Sequence, residues 1–246
     1  MGIQRVEILG VPVDILQPQD LEMVMLELLA KPGTKQIIFL SIWDLIKARR
    51  RGEFQECVKN ADLVIPISKS IIKGAAFLKK TVPIRYNPFN VVIDILSVLE
   101  AHFKTLYLLG SHAQTLYIAE NNIRDTYPEL RIVGRFNGYY PKKLEDDIVQ
   151  SIYKSSPSLV LIGDGIKEKN CWSYRRRNKF SSSIFIYYKD SMGIFSKRIK
   201  RVSEKTFERG HEIYHAILRN PFKIFLIFPF MTYVFSLLWK RIFCKD

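Results

Sequence analysis

The sequence predicts an α/β fold, a parallel sheet with helices on both faces, carrying a basic, apolar C-terminal appendage. Three observations point to it. Short apolar runs, each bounded by Gly, Pro or polar residues, alternate with longer segments of helical apolar spacing. The runs QIIFL, LVIP, TLYLL, LVLI and SIFIY are almost continuously apolar, as strands covered on both faces must be. The composition also changes sharply along the chain. Residues 1–166 hold 20 Lys and Arg against 18 Asp and Glu, whereas residues 167–246 hold 18 against 6. The formal charge of +14 therefore belongs mainly to the last third.

The elements follow in order. RVEILGVPVDIL alternates and reads as a strand or hairpin, with Gly10 and Pro12 at its turn. Asp20 caps a helix to about Ala30, with Leu21, Val24, Met25 and Leu28 on one face, ended by Pro32 and Gly33. Gln36–Ser41 is a buried strand, 44–59 a helix, 61–66 a strand stopped by Pro66, and 69–78 a helix. A periodic helix over 91–103 leads into the strand 104–110. Ser111 then caps a helix to Tyr127, where Pro128 breaks it. A strand and glycine loop over 129–140, a helix over 143–155, and the strand 158–165 come next. After Trp172 a basic helix and the strand 183–188 precede the basic tail. The expected division is a sheet domain over residues 1–190 and an appendage over 191–246.

A chain of 246 residues with 48% apolar content buries a sizeable core and is not disordered. No early stretch has the ~20 uncharged residues of a spanning helix, which excludes a polytopic membrane protein. Cys57, Cys171 and Cys244 are far apart in sequence and odd in number, which suits a reducing compartment rather than a disulfide or zinc framework. The N-terminus lacks the apolar core of a signal peptide.

The net charge calls for a polyanionic partner, and the tail chooses among them. From Ile224 to Trp239 there are sixteen residues without a charge, seven of them Phe, Tyr, Trp or Met, flanked by Arg219, Lys223, Lys240, Arg241 and Lys245. Pro229 is expected to interrupt any helix there. This is the pattern of a monotopic or re-entrant anchor on an anionic membrane surface, not of a nucleic-acid module. A buried C-terminal helix is the plainer alternative.

Ligands of open parallel sheets bind beyond the carboxyl ends of the strands. Three such ends draw attention: Pro66-Ile67-Ser68, Gly110-Ser111-His112 and Gly163-Asp164-Gly165. A glycine and a small hydroxyl residue at a helix start expose N–H groups to phosphate, although a glycine also serves a tight turn alone. Asp164 is a candidate acid or base, or else a turn residue bonding its own backbone. Asp62 is at the wrong end of its strand and reads as structural. His112 reads as a surface residue. His211 and His215, with Glu212 between them, are half a metal site lacking a third ligand and read as a polar helix face.

Four stretches resemble the WecG/TagA/CpsF glycosyltransferases of bacteria: SIWDLIKARRRGEFQECVKNADLVIP, KTLYLLGSHAQTLYIAENNIRDTYPELRIVGRFNGYY, SPSLVLIGDGIKEKNCW and HEIYHAILRNPFKIF. The resemblance implies a Rossmann-like domain with a membrane-directed appendage at the cytoplasmic face. It also implies transfer of an N-acetylmannosamine-type sugar from a UDP donor to a lipid-diphosphate-linked acceptor, with inversion, no cofactor and no metal, and a tendency to self-associate. Positive charge near a diphosphate stabilises the leaving group in place of a metal.

Several motif positions depart from the family pattern. The family's Thr-Leu-Asn is Phe39-Leu40-Ser41, and its Asp-Gly, which supplies the proposed base, is Ile67-Ser68. Its Arg-x-x-Gly-Ser-Asp becomes 85–90, keeping Arg85, and its Gly-x-Gly-x-Pro-Lys-Gln-Glu becomes 163–170, keeping Gly163 and Gly165 with Lys169 near its end. Its Arg-Ala-Pro becomes Arg201-Val202-Ser203. The substrate-binding set implied is Ser41, Arg85, Gly110, Ser111, Gly138, Gly163, Gly165, Lys169 and Arg201, with Ser68 and Asp164 as candidates for the chemistry. Two readings follow: a glycosyltransferase of altered specificity, or a non-catalytic relative acting as a membrane-bound binding or scaffold subunit.

Overall fold

The computed structural model describes residues 3–210 and 227–243. The chain opens with an antiparallel hairpin, β1 (Gln4–Ile8) and β2 (Val11–Ile15). Its turn is Leu9-Gly10, at φ +52° and +78°, the left-handed pair that matches strand twist. Pro12, expected at the turn, lies instead inside β2 opposite Glu7. That pair follows the closing pair Ile8–Val11, so it is a non-hydrogen-bonded site where a missing N–H costs no ladder bond. The buried Asp14 carboxylate holds the hairpin down. It accepts from Arg5 Nε at 2.6 Å and Nη2 at 2.9 Å, and from the Val64 N–H at 2.6 Å.

The main sheet has six strands, all parallel: β3 (Gly33–Leu40), β4 (Leu63–Pro66), β5 (Thr105–Leu109), β6 (Arg131–Phe136), β7 (Leu159–Ile162) and β8 (Ser182–Tyr187). Their spatial order is β4-β3-β8-β7-β5-β6. Alternate residues of each strand feed two cores. Ile37 and Phe39 of β3 join the core shared with α1 (Leu21–Ala30), α5 (Pro88–Ala101), α6 (Ala113–Thr126) and α9 (Ser191–Phe195). Ile38 and Leu40 face α2 (Ile42–Ala48), α3 (Glu53–Lys59) and α4 (Lys69–Phe77). Under β5, β7 and β8 the same face is completed by α7 (Glu145–Ser155) and by Trp172 of α8 (Asn170–Arg175). The expected α/β architecture is therefore present.

Several boundaries differ from expectation. The single helix expected over 44–59 is split into α2 and α3 at Gly52, whose φ of +149° no helix allows. Ser111 does not cap α6. It is buried at φ +61°, and the N-cap is His112, whose side chain makes no capping bond. Asp20 precedes α1 without a side-chain cap. The basic helix expected after Trp172 begins earlier, at Asn170, and contains it. Asp62 is structural as expected, accepting from the Gln36 N–H at 2.8 Å. Cys57 and Cys171 are free thiols buried where α3 meets α8, and the neighbouring Cys171 thiol, with burial, pushes the Cys57 thiol up.

Beyond α9, which buries Met192 in the first core, α10 (Glu204–Arg209) and α11 (Ile227–Phe243) lie on the surface of the sheet domain. Pro229 does not interrupt α11. Helical residues are described on both sides of it, from Ile227 to Phe243. Tyr233 and Leu237 are buried against the α2–α4 side. The Tyr233 hydroxyl donates to the Ser70 carbonyl at 3.0 Å and fills the notch left by Gly74. The opposite face exposes Phe228, Met231, Phe235, Trp239 and Ile242, spaced as one stripe of a helix. No described helix is long and apolar enough to cross a membrane. Cys244, His211, Glu212, His215 and residues 224–226 of the apolar segment lie outside the described residues.

Candidate active site

The connections leave β5 toward β6 and β7 toward β8, in opposite directions across the sheet. The switch point expected to receive a ligand thus falls between β5 and β7. At that place the backbone closes on itself. Gly163 N–H donates to the Leu109 carbonyl, Ser111 N–H to Asp164 and Gly138 N–H to Ser111, each at 2.7 Å, and Tyr139 N–H donates to Gly165 at 3.0 Å. A Cβ on Gly110 would stand 2.8 Å from the Asp164 carbonyl oxygen, and one on Gly138 only 2.6 Å from it. Gly110, Gly138, Gly163 and Gly165, all expected in the substrate-binding set, therefore interlock the ends of β5, β6 and β7 together with Ser111. The Asp164 side chain accepts from the Tyr139 hydroxyl at 3.0 Å, and the Tyr139 ring stacks on His112 at 4.4 Å.

The open space lies beside this knot, beyond the ends of β3, β4 and β8. It is a cavity of about 320 Å³ whose walls include Ser41, Ile67, Ser68, Asn87, Tyr188 and Asp190. Local geometry fixes each wall. Ser41 N-caps α2 in a capping box with Asp44, its hydroxyl donating to the Asp44 carboxylate at 2.5 Å while its N–H donates at 3.1 Å. The Ser68 hydroxyl oxygen accepts from the Ile42 N–H at 3.0 Å, and Ile67 N–H donates to the Leu40 carbonyl at 3.0 Å. The ends of β3 and β4 are thereby locked at fixed spacing.

The basic appendage roofs this cavity through Val202, Phe207 and Gly210. Arg85 is the tie. Its Nε donates to the Ile67 carbonyl at 2.9 Å, its Nη1 to the Phe207 carbonyl at 2.6 Å, and its guanidinium stacks 3.7 Å over the Phe207 ring. Lys69 donates to the Glu208 carbonyl at 3.1 Å. Arg201 reaches Asn90 Oδ1 at 2.6 Å and so sits over α5, beside the cavity rather than in its wall. Lys169 is exposed before α8, close enough to act on the charge of Asp44.

Carboxylates and phenols converge on this edge. Burial raises the Asp44 carboxyl above its ordinary range, against the hydrogen bonds from Ser41. Burial also pushes the Tyr187 phenol up to about 12, helped by the surrounding charges of Asp164, Asp190 and Asp44. Tyr188 is raised by burial and then by Asp190. Sequence reasoning missed Asp190 in the cavity wall and Asp44 behind it, although Asp190 follows β8 and a survey of every strand end would have included it.

The profile of the glycosyl transferase WecG/TagA/CpsF family matches residues 6–245. The chain belongs to that family. Among curated relatives it is similar to the N-acetylglucosaminyldiphosphoundecaprenol N-acetyl-beta-D-mannosaminyltransferases of Staphylococcus aureus strains NCTC 8325 / PS 47, COL and MSSA476, at 21% identity over 149 residues. The match covers 60% of this chain and spans about three fifths of the relatives, 58% of their length. In this WecG/TagA/CpsF member, the positions resembling the family motifs divide between two places. Ser41, Ile67 and Ser68 line the cavity and Arg85 closes it, whereas Gly110, Ser111, Gly138, Gly163, Gly165 and Asp164 build the knot.

A second recess of about 260 Å³ adjoins the knot, walled by Tyr140, Lys142, Glu145, Gly165, Lys167 and Trp172. Arg176 ties it together by pairing with Glu145 and Glu168, while Trp172 Nε1 donates to Glu145 at 2.9 Å. It gives the WecG/TagA/CpsF scaffold a rigid aromatic wall next to the switch point.

Proposed function

We propose that this chain is a membrane-associated glycosyltransferase. It would transfer an N-acetylmannosamine-type sugar from a UDP donor to a lipid-diphosphate-linked acceptor at the cytoplasmic face of the cell membrane, in cell-surface glycan synthesis. The observation that carries the reading is the cavity at the carboxyl ends of β3, β4 and β8, roofed by a basic appendage, in a chain of this family. The activity for which the staphylococcal relatives are named suggests the sugar and acceptor class.

The chemistry asks for three things. The donor diphosphate must be held and its developing charge stabilised, which cations do most effectively away from bulk water. Lys69, Arg85, Lys169 and Arg201 stand in or around the cavity for that role, with Ser41 and Ser68 offering hydroxyls to the sugar or phosphates. The acceptor must arrive with its lipid in a bilayer. The exposed stripe of α11, with Lys240 and Arg241 in its last turn, supports a helix lying in an anionic interface. A proton must leave the acceptor hydroxyl, and Ile67 cannot take it.

Calorimetry with UDP and UDP-sugars, followed by UDP release in the presence of a lipid-diphosphate acceptor, tests the reading. Binding and release are expected. Failure of every UDP-sugar to bind or to yield UDP would sink the enzyme reading, and binding without release would favour the scaffold subunit. Deleting Pro221–Asp246 is expected to move the protein from membranes to the soluble fraction at low salt. Retention on membranes would reject the anchor.

A further inference from the structure

We propose that Asp190 is the catalytic base, taking the proton from the acceptor hydroxyl in place of the side chain at Ile67. The inference rests on the glycosyl-transfer reading above. Attack by a sugar hydroxyl gains typically ~10²–10⁴ in rate from a positioned base. Among the described residues that line the cavity, Asp190 is the one carboxylate, and no histidine lines it. The strand order explains how it comes there. β8 lies next to β3, and β3 next to β4, so the segment after β8 faces the segment after β4 across one cavity. Asp190 thus reaches the space bounded by Ile67 from another wall.

The other nearby carboxylates are placed differently. Asp44 Oδ2 accepts from both the N–H and the hydroxyl of Ser41 and lies behind the cavity wall. Asp164 accepts from Tyr139 at the knot. Asp62 bonds the Gln36 N–H at the start of β4, the amino end of the sheet. Asp190 is half-buried, and its charge is felt by the phenols of Tyr187 and Tyr188, the latter itself a cavity wall.

The step balances without a co-reactant. The acceptor O–H bond breaks and its proton passes to the Asp190 carboxylate. The oxygen forms a bond to the anomeric carbon of the donor sugar as the bond from that carbon to the diphosphate oxygen breaks. The electron pair leaves with UDP, beside Lys69 and Arg85.

The test uses the full chain with anionic vesicles, UDP-N-acetylmannosamine and a lipid-diphosphate N-acetylglucosamine acceptor, reading UDP release. In Asp190→Asn, kcat is expected to fall ~10²–10⁴-fold with donor KM little changed. The double variant D190N/I67D is expected to recover at least ~10-fold of the lost rate, because it returns a carboxylate to the same cavity. A merely structural Asp190 would not be rescued from position 67. Asp190→Ser, with a smaller side chain, provides the same comparison should the asparagine variant fail to fold. An active wild type with undiminished D190N, or loss in Asp44→Asn with none in D190N, overturns the assignment and leaves the transfer reading standing. A wild type that binds the donor yet releases no UDP overturns both.

Discussion

The two halves of the sheet's carboxyl edge contrast in how they use their sequence. At β5, β6 and β7 the chain is closed, with glycine packed on glycine and the loop amides bonded to neighbouring carbonyls. At β3, β4 and β8 it is open, with side chains around a cavity. The residues that keep the family pattern are concentrated in the closed half, and the departures at Ser41, Ile67 and Ser68 line the open half. A glycine whose Cβ would strike a backbone atom is held in place by packing whatever the chemistry next to it. The cavity-lining side chains face open space on one side, although Ser41 and Ser68 are also tied by local hydrogen bonds. The packed glycines are therefore required by the fold whether or not they also touch a ligand.

That contrast breaks most plainly at Gly138. Gly138→Val places a branched side chain against the Asp164 carbonyl and the Gly165 backbone, and is expected to cost more than ~3 kcal/mol, read as a lower denaturant midpoint. An unaffected midpoint would show the knot to be loose. Gly74→Ala is expected to have a smaller, local effect. Its methyl overlaps the Tyr233 hydroxyl, so α11 should lift and its amides exchange at least ~10-fold faster, equivalent to ~1.4 kcal/mol, while the sheet is unchanged. In the open half, Ser41→Ala removes the capping box of α2 and should lower stability by only ~1 kcal/mol. A loss as large as that at Gly138 would erase the distinction between the halves.

The smallest effect is one of pH. Burial raises the folded-state pKa of Asp44, so the folded chain binds that proton more tightly than the unfolded one. From the raised value down toward the unfolded value of ~3.9, the wild type should gain stability relative to Asp44→Asn as pH falls. Parallel curves for the two proteins across that window would place Asp44 in a more solvated setting.

Much of the fold was legible because each strand carried its own signal. LVIP and LVLI are apolar throughout and bounded by breakers, and both are strands buried on two faces. Boundaries failed where backbone conformation outweighed pattern. Gly52 divides a helix that periodicity joined, and Ser111 adopts a left-handed conformation that removes it from the cap. Pro229 was expected to break the apolar segment, yet the described helix runs through it from Ile227 to Phe243. The site was less legible. Gly110 and Gly138 were expected to bind substrate, and only the tertiary structure shows how closely both also pack on the Asp164 carbonyl.

By itself the sequence determined the alternation of strands and helices, the basic last third and the divergence at Ile67, because these depend on local periodicity, charge and residue type. Tertiary structure alone decided that β8 inserts between β3 and β7, since strand order depends on contacts between residues far apart in the chain. That insertion brings Asp190 and Ile67 into the walls of one cavity and Cys171 of the neighbouring α8 near Cys57. It also leaves open a cavity that no stretch of sequence encloses alone.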